Sequence, residues 1–124
     1  MNRATALLIF ANVLTTSIAQ ILLKGGMSSP AVVNSLAEGF RGSTITTVAL
    51  NPLVISGLVA YFLSAVLWLI VLSRVEVSLA YPFVGAGFVI TMLLAWQIYG
   101  DHLSVTRITG TLLIAIGVVV LAKS

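Results

Sequence analysis

The chain of 124 residues contains no cysteine, which leaves no disulfide framework and no thiol chemistry. Charge is nearly as scarce: Lys and Arg together number 6, Asp and Glu 3. Charged residues are 7% of the chain, against roughly 25% in soluble domains. So few charges cannot cover the surface of a water-soluble fold. The basic residues are scattered singly, with no basic run and no basic–aromatic interleaving, so nothing suggests a nucleic-acid surface or partner. The three acids, Glu38, Glu76 and Asp101, fall in connections or at helix ends. No apolar stretch contains one, so the carboxylate of an ordinary membrane proton relay is missing. The one histidine, His102, stands beside Asp101; one His and one Asp make neither a metal constellation nor a nucleophilic triad. No metal, cofactor or catalytic residue is expected, and the chain does not read as an enzyme.

What is abundant is apolar: 60% of the residues are hydrophobic. They gather into four stretches, Ala4–Leu23, Pro52–Leu72, Val77–Tyr99 and Val105–Ala122. Each is near the ~20 residues that cross about 30 Å of hydrocarbon at ~1.5 Å per residue. Backbone groups cannot go unpaired in lipid, and none of the stretches alternates polar with apolar as a barrel strand does. The expected fold is an all-α membrane protein, one domain over residues 1–124 with four transmembrane helices. Arg3, the apolar run Ala6–Leu14 and Ser17-Ile18-Ala19 have something of a secretory signal. Apolar character runs on through Ile21-Leu22-Leu23, however, so a retained helix is expected.

Short links, Ser73–Glu76 and Gly100–Ser104, predict antiparallel packing of successive helices. The first connection, Lys24 to Asn51, is long. Within it Ser29-Pro30 suits a helix start, and Val32, Val33, Leu36 and Phe40 share one helical face. Residues 30–40 therefore read either as an interfacial helix or as a partly ordered loop. With four spans both termini lie on one side. Arg3, Arg74 and Lys123 fall on that side and Lys24, Arg41 and Arg107 on the other, so the positive-inside rule does not choose an orientation.

Polar residues inside the spans are the functional candidates. Asn12, Thr16, Gln20 and Lys24 recur every four residues on one broad side of the first helix. They read as a substrate-lining face or as interhelical hydrogen-bond glue, and Lys24 also as a cation snorkelling to the interface. Gly57, Tyr61, Ser64 and Trp68 form one face of the second helix, equally compatible with ordinary packing. In the third, Tyr81 follows the same spacing with Gly85 and Phe88; Gly85-Ala86-Gly87 suits a hinge or a close helix approach. In the fourth, Gly110 and Gly117 lie seven apart on one small-residue stripe. Four short helices bury little surface and leave no room for a central pathway, so this stripe is the expected seam of a dimer.

At this point the residues resemble a known group. Ala80-Tyr81-Pro82-Phe83-Val84-Gly85-Ala86-Gly87, Leu94-Ala95-Trp96, Gly100-Asp101-His102-Leu103 and Gly110 to Gly117 look like the second half of small multidrug resistance transporters. The Tyr61–Trp68 face and Ala19–Lys24 also fit, and more broadly the chain resembles a four-helix member of the drug/metabolite transporter superfamily. The resemblance is best over residues 57–122. Small multidrug resistance proteins carry an essential glutamate in the first helix. Here the matching region, Asn12–Ser17, has no acid, which argues against proton-coupled export of cations. That absence and the long first connection are similar to the paired small subunits that flip aminoarabinose linked to undecaprenyl phosphate. The pair Ala19-Gln20 and the pattern Gly57-x-x-x-Tyr61 match those subunits too.

The resemblance implies a translocator of a polyprenyl-phosphate-linked sugar in a bacterial inner membrane. Its partners would be membrane lipid, the lipid-linked sugar phosphate, and a second copy or a homologous small subunit. Lys24, Arg41 and Gln20 offer cationic or donor groups for a phosphate. Two rivals stay open: export of a small hydrophobic or cationic solute, and a non-transporting accessory subunit.

Overall fold

The computed structural model describes residues 3–39 and 41–123. Seven α-helices are found among them: α1 (Arg3–Met27), α2 (Pro30–Ala37), α3 (Gly42–Ala49), α4 (Pro52–Leu72), α5 (Val77–Ala80), α6 (Val84–Tyr99) and α7 (Val105–Ala122). A 3-10 turn, Tyr81–Phe83, joins α5 to α6. Three units are long and apolar enough to cross a membrane: Arg3–Met27, Pro52–Leu72 and Val77–Tyr99. The fourth, α7, has 18 residues, about 27 Å of helix. The chain is a four-helix membrane protein.

Local chemistry explains several element ends. Asn51 caps α4: its Oδ1 accepts from Leu53 N at 3.0 Å and Val54 N at 3.2 Å, with Pro52 in the first turn. Its Nδ2 donates to Ser29 Oγ at 3.1 Å, which ties the start of α4 to the start of α2. Ser104 caps α7 by accepting from Arg107 N at 3.1 Å. Gly100 ends α6 at φ +66°, a left-handed backbone that glycine adopts without strain.

The elements depart from the sequence reading in three places. The first helix runs on to Met27, beyond Leu23. The long connection holds two short helices: α2 ends at Ala37 rather than residue 40, and α3 was not expected. Phe40, assigned to the apolar face of this segment, lies outside the described residues. The third span is interrupted at Tyr81–Phe83, where Pro82 has no N–H to continue an α-helical ladder, and not at Gly85-Ala86-Gly87, which sit in regular helix.

α1 is the centre of the bundle, packing most extensively along α4 and also on α6, while α7 packs chiefly on α6. α1 and α4 run antiparallel, as Asn12 meets Ser64, Leu23 meets Gly57 and Gly26 meets Val54. At Gly57 a Cβ would fall 2.7 Å from Leu23 Cγ and 3.0 Å from Leu23 N. At Gly26 it would fall 2.8 Å from Val54 N. Both glycines therefore let two backbones approach as tightly as small residues allow. Gly85 of α6 makes room for the Ile114 side chain of α7, whose Cγ2 would lie 2.7 Å from an added Cβ, and Gly87 faces Val13 and Ser17 of α1. Ile9, Val13, Val71 and Ala80 form a buried cluster in the half of the bundle nearer the termini. Outward-facing Phe10, Phe62, Leu69, Leu113 and Val120 are each more than half exposed, as expected of a surface solvated by lipid.

Candidate functional site

Three interhelical contacts build the polar interior. Asn12 Nδ2 donates to the backbone carbonyl of Ser64 at 2.7 Å and to Ser64 Oγ at 3.0 Å. Thr16 Oγ1 donates to Asn12 O at 2.8 Å, one helical turn back, and its hydroxyl also meets that of Ser64. Ser17 Oγ donates to Val13 O at 2.9 Å and reaches Gly87 O of α6 at 3.3 Å. Asn12, Ser17 and Ser64 are each at most 5% exposed. Asn12, Thr16 and Ser17 thus lie on the faces of the first helix turned toward α4 and α6, where they find partners.

Beside this cluster lies a cavity of about 260 Å³. Asn12, Thr16 and Ser64 form its polar floor, with Val13 and Ala65 alongside; Tyr61 and Trp68 of α4 and Tyr81 of the 3-10 turn form an aromatic wall. Val84 and Gly87 close it from α6. The rings of Trp68 and Tyr81 meet edge to face, centroids 6.2 Å apart at 72°. Tyr81 opens the 3-10 turn of the third span, one turn after Val77, and stands against Trp68. Among the described residues no charged one borders this space. On the other side of Val13 a larger groove of about 560 Å³ runs between α1, α6 and α7, lined wholly by apolar residues such as Phe10, Phe83, Ile90 and Val119.

The structure thus brings together Asn12, Thr16, Tyr61, Ser64, Trp68 and Tyr81 from the sequence candidates. It does not bring Gln20, Lys24 or Arg41 to the cavity; all three are exposed. Lys24 lies eight residues beyond Thr16, about 12 Å further along the axis toward the long connection. Arg41 sits at the start of α3, its backbone N–H donating to Thr44 Oγ1 at 3.2 Å. Gly85 and Gly87, read as a hinge, are points of close contact with α7 and α1 respectively. Gly110 and Gly117 are exposed, with nothing within 4 Å of an added Cβ. Sequence reasoning did not pick out Val13, Ala65 and Val84. Val84 follows Tyr81 by three residues and so shares its face, a signal that was available. Among the described residues no group of His, Cys, Asp or Glu is placed to hold a metal.

Four apolar helices, with a polar-floored cavity between α1, α4 and α6, fit a multi-pass membrane transport protein. Residues 6–123 match the model of the EamA-like transporter family, and the chain belongs to that family. It is 31% identical to the protein y4nH of Sinorhizobium fredii over 124 residues, covering 99% of this chain and 98% of that one. It is 32% identical to the "Probable 4-amino-4-deoxy-L-arabinose-phosphoundecaprenol flippase subunit ArnE" of Pseudomonas aeruginosa, over 97% of this chain and 98% of the relative. The corresponding probable subunit ArnF of Shewanella sediminis is 32% identical over 91% of this chain and 83% of its own. No solved structure matches. The family is described as transporter-like, and the ArnE and ArnF relatives are named as probable flippase subunits.

Proposed function

We propose that this chain is a subunit of a flippase that moves a polyprenyl-phosphate-linked sugar, or a similar polar-headed lipid, across the bacterial inner membrane. The observation that carries the reading is the cavity: a polar floor, an aromatic wall and no charged group, at mid-span in an otherwise apolar bundle. Its volume of about 260 Å³ lies just below the ~300–1,000 Å³ of drug-sized sites, which suits one sugar ring. Aromatic faces cover the apolar side of a ring while hydroxyl and amide groups meet its edge. A cation would find no acid there, which sets this reading above export of cationic drugs. The phosphate would be met at the membrane faces, by Lys24 and Arg41 on the side of the long connection. Gln20 lies between Lys24 and the cavity along α1 and is proposed to line the route.

The working unit is proposed to be a dimer, of two copies or of this chain with a homologous small subunit. The open, small-residue stripe of Gly110 and Gly117 on the outermost helix supports this, as does the naming of relatives as subunits. The test is reconstitution in liposomes with a fluorescent polyprenyl-phosphate glucose. An impermeant quencher then reads how fast the inner leaflet becomes accessible. Exchange faster than in protein-free liposomes supports the reading. Dye efflux that depends on a pH gradient, without lipid exchange, overturns it in favour of a solute exporter.

A further inference from the structure

We propose that the side-chain oxygen of Asn12 is the acceptor of the cavity and selects headgroups that donate a hydrogen bond, hydroxylated rings above all, over headgroups that only accept. The inference rests on the reading that the cavity holds a lipid headgroup, and it concerns how that headgroup is recognised.

The argument is an account of protons. Asn12 is 5% exposed and lies about 4–5 Å from the midpoint of α1. Its amide sits 2.7 Å from the backbone carbonyl of Ser64, and a carbonyl can only accept. The nitrogen must therefore face Ser64, since the flipped amide would press two acceptors together. The carbonyl belongs to the helix backbone, so no rotation of the Ser64 side chain relaxes this constraint. The second N–H of the amide goes to Ser64 Oγ. Thr16 spends its proton on Asn12 O. The remaining proton, on the Ser64 hydroxyl, has both Thr16 Oγ1 and Asn12 O within reach. Every donor on the floor is thus spent inside the protein.

What remains is Asn12 Oδ1, which has no partner among the described residues and belongs to a residue that borders the cavity. No fully buried side-chain oxygen or nitrogen lacks a partner among the described residues, so this oxygen keeps accessible surface, and a donor from water or from a ligand can complete it there. A sugar ring can do so with one hydroxyl while its other oxygens accept from the donors of the wall, the Tyr61 and Tyr81 hydroxyls and the Trp68 indole N–H. A phosphate or carboxylate facing the floor would meet an acceptor and no free donor. The floor thereby disfavours the phosphate of a lipid-linked sugar and favours a hydroxyl of its ring.

The test uses full-length protein carrying Trp96→Phe, which leaves Trp68 as the single tryptophan. In liposomes, Trp68 fluorescence is titrated with decyl β-glucoside and with its tetra-O-methyl ether, compared at equal membrane mole fraction. The ether keeps the ring and removes the donors. The glucoside is expected to bind at least fivefold more tightly. Asn12→Leu should bring that ratio to about one, whereas Ser64→Ala, which keeps the backbone carbonyl, should preserve the ratio even where both affinities fall. Equal affinities in the parent, binding of neither ligand, or an unchanged ratio in a folded Asn12→Leu protein would each overturn the proposal. If Asn12→Leu does not fold, the ligand pair on the parent decides alone. Lipid exchange is measured separately, so loss of donor selectivity and loss of flippase activity are distinguishable.

Discussion

Placing a methyl group at Gly57 tests the packing on which the cavity depends. The new Cβ would sit 2.7 Å from Leu23 Cγ, 2.9 Å from Leu23 Cδ2 and 3.0 Å from Leu23 N. The first contact is with the branch point of leucine and the third is with backbone, so no rotation of a flexible tip relieves the clash. Overpacking of this kind costs about 1–3 kcal/mol. Alanine also gains up to about 1 kcal/mol over glycine in helix propensity, which would mask part of the cost. Gly117→Ala supplies the correction, because its Cβ meets nothing within 4 Å and carries the propensity gain alone. The two variants should therefore differ by about 1–3 kcal/mol in the free energy of unfolding, Gly57→Ala being the less stable. Unfolding by SDS in micelles, followed by far-ultraviolet circular dichroism under monomeric conditions, measures the difference. Adding Leu23→Ala to Gly57→Ala removes two of the three close atoms and should recover part of the loss beyond additivity. If the two glycine variants differ by less than about 0.5 kcal/mol, α1 and α4 do not approach as described.

Other consequences are as direct. Asn12→Leu removes both bonds to Ser64 and should destabilise the bundle by about 1–2 kcal/mol in the same unfolding assay. Gly117→Leu should leave monomer unfolding nearly unchanged but weaken association, read by crosslinking through α7; unchanged crosslinking would put the seam elsewhere. Tyr99→Phe deletes the 2.6 Å bond from Tyr99 to Ile21 O, and should loosen the connection end of α6, seen as faster amide exchange there. Among the described residues no carboxylate or histidine borders the cavity, so lipid exchange should vary little between about pH 6 and pH 8; a sharp optimum would point to a titrating group outside it.

The four spans and the cavity face of α4 were legible because both follow from helical periodicity. Tyr61, Ser64 and Trp68 repeat at three and four residues and all reach the cavity. The polar stripe of α1 was legible only in part. Residues four apart drift about 40° per step, so Gln20 stands about 80° and Lys24 about 120° round from Asn12. Periodicity groups such residues, but only the position of α4 shows where the stripe leaves the interface. The helix α3 was hidden because Gly42-Ser43-Thr44-Ile45-Thr46-Thr47 contains weak helix formers. It is held by tertiary contacts: Thr44 is buried, donates to Gly39 O at 3.0 Å and accepts from Ser35 Oγ at 3.1 Å. Gly26 was counted as part of a loop, yet it marks a tight contact with the backbone of α4. A glycine in sequence does not say which backbone will come close to it.

The most direct measurement is leaflet exchange of a fluorescent polyprenyl-phosphate glucose in liposomes, comparing the parent with a protein altered in the cavity. Trp68→Ala with Asn12→Leu removes one wall and the acceptor of the floor while leaving Lys24 and Arg41 in place. Exchange in the parent that falls at least tenfold in this variant, with helix content retained, is the predicted result. Exchange at the parental rate in the folded variant would contradict the assignment of the cavity, and no exchange in the parent, alone or with a homologous partner subunit, would contradict the flippase itself.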